Sequence, residues 1–254
     1  MPATRVEPTP RWVRVRAGGE WIADSREALL VAWYGPGRLP TYAFPAAAVR
    51  TDMLSPSPGG GDGSVVPHDI RTGEVLEGAA RLLVDPAPEL ADARGHWTFT
   101  WDGSVSWFEE ATEVHVHARD TAKRVDVVPS ERHVRVMLDG ALLAESRRPH
   151  ALFEAPLPTR WYMPMADVLP GVLEPSPTVS RCPYKGIASW FSVRAGGALH
   201  PDLAWTYPDP VPECPGVAGL VAFYNEHVDL VIDGVPQERP RTPWSSGGPE
   251  ISPS

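Results

Sequence analysis

Residues 11–25 of this chain, RWVRVRAGGEWIADS, recur at 132–146 as RHVRVMLDGALLAES. LPTYAFPAAAV at 39–49 faces LPTRWYMPMADV at 157–168, SPSP at 55–58 faces EPSP at 174–177, and GHWTFTWD at 95–102 faces GLVAFYNE at 219–226. The offset drifts only from 121 to 118 to 124, so the chain is an internal duplication with small insertions and deletions. A length of 254 residues suits one large domain or two of roughly 110–130. The duplication decides for two: a first repeat over 1–110, a connector over 111–131, a second repeat over 132–238 and a tail over 239–254. That tail, RPRTPWSSGGPEISPS, is polar and proline-rich and is expected to be disordered apart from an anchoring Trp244.

Each repeat opens with a hairpin pattern. Val13 and Val15 alternate with Arg14 and Arg16 before Gly18-Gly19; Val134, Val136 and Leu138 alternate before Asp139-Gly140. Asp-Gly accepts the positive backbone angles of a tight hairpin turn. Later, Val228, Leu230 and Ile232 alternate with Asp229, Val231 and Asp233. EVHVHA at 113–118 alternates too, with His115 and His117 on one face. REALLVAW at 26–33 and RRPHALFEA at 147–155 have some helical propensity, but they are short or interrupted and read as edge strands. Thirty prolines argue against long helices. The expected class is mainly β: two tandem compact antiparallel domains with few short helices, tent-like or small barrels, related by a pseudo-twofold and packed on each other.

The formal net charge is −9, with no lysine- or arginine-rich block, which disfavours a nucleic-acid partner. No apolar run approaches the roughly 18 residues of a membrane span. MPATRVEPTP lacks an apolar signal core, so a cytoplasmic location is expected. Cys182 and Cys214, the two cysteines, make neither a disulfide framework nor a zinc cluster, and reduced thiols are expected.

The repeats differ in chemistry. The second carries RCPYKG at 181–186 where the first carries GGGDG at 59–63, within a flexible loop over 56–64. It also has Asp167 where the first has Ala48, and Trp205 opposite Arg81. With PTRWYMPMADV at 158–168, CPYKGIASW at 182–190 and the stretch from Leu203 to Gly234, supported by WFEE at 107–110, HARD at 117–120 and KRVD at 123–126, the chain resembles a tandem member of the bacterial family called domain of unknown function 427. The resemblance covers nearly the whole chain. It implies a compact antiparallel fold of the β-tent kind and no established reaction.

Cys182 and Lys185 stand three residues apart, with Pro183 and Gly186 suggesting a tight turn. A thiol near an ammonium can be an activated nucleophile, and a desolvated lysine can form a Schiff base or move a proton. Alternatively, Cys182 is a small buried apolar residue and Lys185 pairs with a carboxylate. Loss of the whole motif from the first repeat favours function, because a purely structural turn would be needed in both. Asp167 would hold or deprotonate Lys185, or else serve a turn; Tyr184 would donate a hydrogen bond. Most of the aromatic residues around these segments will be core. Trp161 and Trp205 are the first choices for ligand walls, with Tyr162, Trp190 and Tyr224 beside them.

His115 and His117 lack a nearby third ligand, so no metal is expected. His117 with Arg119 and Asp120 reads as a polar cluster on the connector. It would either reach the second repeat, where Arg119 suits an anionic ligand, or lock the two copies together. Neither a phosphate-binding glycine loop nor a Gly-x-Ser-x-Gly elbow is present. These residues lead to a cofactor-independent enzyme acting on a small carbonyl- or carboxylate-bearing metabolite. Its rivals are a non-catalytic small-molecule binder and an interaction scaffold. The expected state is a monomer that is its own pseudo-dimer, or a weak homodimer.

Overall fold

The computed structural model describes residues 3–35, 37–155, 157–242 and 244–245. The chain divides into two compact units, one running to Asp120 and one starting at Thr121. Residues 246–254 of the expected disordered tail lie outside the described residues.

The first unit holds β1 (Arg5–Pro8), β2 (Val13–Ala17), β3 (Glu20–Ser25), β4 (Leu29–Ala32), β5 (Thr41–Ala43), β6 (Leu54–Pro56), β7 (Val65–Arg71), β8 (Val75–Leu83), β9 (Trp97–Phe99), β10 (Ser106–Glu109) and β11 (Thr112–Val114). The second holds β12 (Val125–Pro129), β13 (Val134–Leu138), β14 (Ala141–Ser146), β15 (His150–Glu154), β16 (Arg160–Pro164), β17 (Leu173–Cys182), β18 (Gly186–Ala195), β19 (Ala198–Thr206), β20 (Leu220–Phe223), β21 (Asp229–Ile232) and β22 (Val235–Pro236). All ladders between these strands are antiparallel. Helical structure among the described residues is confined to short 3₁₀ segments such as Pro88–Ala93 and Met165–Asp167.

The second unit pairs a seven-stranded sheet, β12-β15-β16-β20-β19-β18-β17, with a four-stranded one, β14-β13-β21-β22. The first unit repeats this order strand for strand. Its β1-β4-β5 and β6-β7-β8-β9 sheets meet where Phe44 and Trp97 exchange backbone hydrogen bonds of 2.7 and 2.8 Å. Its β11-β10-β2-β3 sheet matches the smaller one. The sheets are open, which overturns the small-barrel alternative.

The alternating patterns place the core as expected. Val13 and Val15 are fully buried, while Arg14 and Arg16 are not. Val134 and Val136 face the same interior as Leu230 and Ile232. Burying each such side chain is worth about 1.5–3 kcal/mol. Two expectations need correction. The segments read as edge strands became β4 and β15, which are inner strands, because the N-terminal strands β1 and β12 cover their outer edges. The strand expected over 113–118 stops at Val114. Val116 takes a positive φ of 73°, and the His117 N–H donates to His115 O at 2.9 Å. That is a γ-turn, so the two histidines do not share a strand face.

The seven-stranded sheet has two faces with different cover. Trp161, Met163, Val221 and Phe223 pack toward the smaller sheet. Their neighbours Tyr162 and Ala222, with Trp190, Trp205, Tyr207 and Tyr224, face the other way. That second face is closed by irregular chain carrying Val211, Cys214, Val217 and Trp244.

Candidate functional site

The site lies on this second face, where two turns dock. In the turn between β17 and β18, the Lys185 N–H donates to Cys182 O at 3.3 Å, and Lys185 O accepts from the Val211 N–H at 3.1 Å. Cys214 closes the second turn, its N–H donating to Val211 O at 2.9 Å. Gly186 is required between them. Its φ is +108°, and a Cβ there would sit 3.2 Å from Asp209 O and 3.3 Å from the Val211 nitrogen.

Lys185 points under the sheet to a carboxylate that the sequence reading missed. Its Nζ donates to Glu154 Oε2 at 2.5 Å, and Lys123 Nζ lies 2.9 Å from Glu154 Oε1. Glu154 and Lys185 side chains are only 5% and 11% exposed, so the pair operates at low effective dielectric. Burial pushes the Glu154 carboxyl up, but Lys185 and then Lys123 outweigh it and hold the group at about 2. Burial alone would lower the Lys185 ammonium. Cys182, Glu154, Tyr207 and Tyr162 around it outweigh that and raise it well above the usual lysine value. Burial is also the first cause that raises the Tyr162 and Tyr207 hydroxyls and the Cys214 thiol. Both cysteines are free, with Cys182 half-buried and Cys214 buried.

Aromatic rings wall the cluster. Trp190 and Trp205 stand opposite each other across β18 and β19, with centroids 5.2 Å apart. Tyr224 lies 5.5 Å from Trp190 and 5.0 Å from Trp205. The Trp205 Nε1–H donates to the Tyr162 hydroxyl at 3.1 Å. Tyr184 stands at the rim, its ring centroid 5.2 Å from Lys123 Nζ. Beneath the wall, Arg160 grips buried Glu226 through both guanidinium nitrogens at 2.5 and 2.7 Å, and the Thr242 hydroxyl donates to the same carboxylate at 2.7 Å. Trp244 packs against this cluster, and its carbonyl oxygen lies 3.0 Å from His227 Nε2, which gives the tail its anchor.

The structure therefore gathers Cys182, Lys185, Tyr184, Tyr162, Trp190, Trp205 and Tyr224, and separates the rest. Asp167 is not the partner of Lys185. It accepts from the Ser146 hydroxyl at 2.6 Å and from Arg148 at 3.1 Å, tying its 3₁₀ turn to the end of β14. Trp161 faces the opposite side of the sheet from Tyr162, as adjacent strand residues must. It lines a separate hollow of about 250 Å³ with Arg132, Asn225 and Arg239. His117 and Arg119 belong to the first unit. There His117 Nδ1 lies 2.7 Å from Ala118 O, and the Arg119 Nε–H donates to buried Glu109 at 2.8 Å. Glu154, Lys123, Tyr207 and Cys214 went unrecognised. Lys123 had a signal as part of KRVD, and Tyr207 and Cys214 as parts of the stretch from Leu203 to Gly234, but none of the three was placed with Lys185.

A model of the family described as domain of unknown function (DUF427) matches residues 5–110 and, separately, 126–234. The chain belongs to the DUF427 family. No curated protein matches it. The two DUF427 segments can be compared position by position through their ladders. Ala80 stands opposite Phe99 as Ala204 stands opposite Phe223, which equates Arg81 with Trp205 and Leu83 with Tyr207. Leu29 stands opposite Ala43 as His150 stands opposite Tyr162, which equates Ala43 with Tyr162 and Trp33 with Glu154. The Cys182–Gly186 turn between β17 and β18 has no ladder counterpart: between β6 and β7 the first segment has a connection of different length, residues 57–64, which carries GGGDG at 59–63. The corresponding face of the first DUF427 segment is filled by Val31, Ala43, Leu83, Leu90 and Ala93, with Trp33 against them. Glu154, Tyr162 and Tyr207 thus have apolar counterparts in Trp33, Ala43 and Leu83, while Tyr224 corresponds to Thr100 and Arg160 to Thr41.

Proposed function

We propose that the second repeat is the working half of a cofactor-independent enzyme of small-molecule metabolism, active in the cytoplasm on a carbonyl- or carboxylate-bearing metabolite. The observation that carries this reading is the joint replacement of Glu154, Tyr162 and Tyr207 by Trp33, Ala43 and Leu83 on the same strand framework, together with the GGGDG loop at 59–63 where the second repeat carries Cys182 and Lys185. A cluster needed only to hold the fold would be needed twice. The first repeat closes the same face with plain apolar packing, which is the cheaper solution for stability alone.

In this reading Lys185 does not act as a Schiff-base nucleophile, because its ammonium is held charged by its surroundings. Its role is electrostatic: it receives the negative charge that builds on a substrate oxygen. Cys182, half-exposed beside it, supplies the nucleophile, its proton leaving to solvent at the rim. Tyr184 and Lys123 line the entrance. The rival reading, a binding protein with no chemistry, draws support from the raised tyrosine hydroxyls and the locked Lys185–Glu154 pair, none of which exchanges a proton readily near neutral pH.

The test is a panel of small carbonyl and carboxylate metabolites incubated with the full chain and followed by mass spectrometry and thermal shift. A compound consumed by the wild type and not by Cys182→Ser supports the enzyme. A compound that raises Tm and is recovered unchanged returns the binding protein. A panel that neither shifts nor is consumed removes both.

A further inference from the structure

Building on the reading of this cluster as a small-molecule site, we infer that the group it holds is a carboxylate, a single negative charge delivered on oxygen, rather than a neutral carbonyl or a phosphate dianion. Two ammoniums, Lys185 and Lys123, share one carboxylate, Glu154. Each ammonium has three donors, and Glu154 takes one from each. The carboxylate acting most strongly on Lys185 is this same Glu154; its other close neighbours are a thiol and two tyrosine hydroxyls. The next charges beside Lys123, Arg124 and Asp126, pair with each other at 2.7 Å. Lys185, Lys123 and Glu154 together therefore carry an excess of one positive charge.

That excess sits where water screens it poorly, since the three side chains are 11%, 17% and 5% exposed for Lys185, Lys123 and Glu154. A buried charge without a partner is costly. A monoanion brings the count to zero. A neutral carbonyl leaves the excess in place, and a dianion overshoots it. The side of the cluster nearest solvent is the one with half-buried Cys182 and Tyr184. In the first repeat Glu154 becomes Trp33 and the GGGDG loop at 59–63 stands where the Lys185 motif is, so the positive excess is gone along with the motif.

The experiment follows alkylation of Cys182 by iodoacetamide in the full chain, at constant ionic strength, with acetate, acetamide or inorganic phosphate added. Acetate occupying the site slows labelling by 1 + [L]/Kd, about tenfold at nine times its Kd. Acetamide, its neutral counterpart, has no such effect, and phosphate protects less than acetate. Lys123→Gln, at the rim, and Lys185→Gln each abolish the acetate effect; the rim variant keeps the test decisive should the buried one fail to fold. Equal protection by acetamide, or stronger protection by phosphate, overturns the carboxylate while leaving a small-molecule site intact. No protection by any of the three, with Cys182 labelled no faster than Cys214, overturns both.

Discussion

Lys185 Nζ lies 2.5 Å from Glu154 Oε2, across 31 residues of chain and between the turn before β18 and the end of β15. Neither side chain has appreciable contact with water, and Lys123 completes the arrangement from the strand edge. The ion pair thus joins three separate segments of the second repeat.

Removing the carboxylate charge leaves two buried ammoniums facing a neutral amide. Glu154→Gln is expected to destabilise the second repeat by about 3–5 kcal/mol. The measure is the urea midpoint of the full chain, read from tryptophan fluorescence. A loss below about 1 kcal/mol would mean that the pair is solvated and the buried-cluster account is wrong.

The pH dependence has a defined sign. The Glu154 carboxyl is held at about 2, below its ordinary value of 4.5, so its contribution is complete above about pH 5 and is lost as pH falls toward 2. Its size is on the order of 3 kcal/mol. The Lys185 ammonium is raised, so its contribution is complete below its ordinary value of 10.5 and is lost as pH rises from there through the raised value. Other carboxylates also weaken the fold in acid, so the informative quantity is the difference between wild type and Glu154→Gln. That difference shrinks steadily from pH 5 to pH 2; a difference that stays constant over this range contradicts the assignment.

The cysteines should react unequally. Cys182 is half-buried beside the Lys185 ammonium, whereas Cys214 is 3% exposed and burial pushes its thiol up. At neutral pH iodoacetamide is expected to label Cys182 at least about ten times faster, since the thiolate and its access set the rate. Peptide mapping after timed quenching reads both rates in one sample, and comparable rates would remove Cys182 as the nucleophile.

Asp167→Ala tests the separation of that residue from the site. Its partner Arg148 has a side chain 71% exposed, and the Ser146 bond is local. The expected cost is about 1 kcal/mol, with Cys182 labelling unchanged. A changed labelling rate would reconnect Asp167 to the Lys185 cluster.

The duplication, the strand class and the surface-facing alternation were legible in the sequence because period-two patterns and turn residues act locally. Val13, Val15, Val134 and Val136 are buried where the alternation put them. The difference between the repeats was legible too, since Cys182 and Lys185 stand in one motif that faces GGGDG at 59–63. Neighbourhood across the sheet was not. Asp167 looked like the partner of Lys185 because it, too, is missing from the first repeat, yet it pairs with Arg148.

Sequence alone determined that one unit is built twice and that only one copy carries the CPYKG motif; repetition and residue type are properties of the chain itself. Tertiary structure decided that Glu154 and Lys123 are the groups facing Lys185, and that Tyr162 rather than Trp161 shares its face. Those facts depend on strand order and register: β12 and β15 lie side by side at one edge of the sheet, and the Lys185 turn meets them from above its face. No spacing along the chain encodes such a meeting, because it is set by which strands pair and which side of the pleat each residue takes.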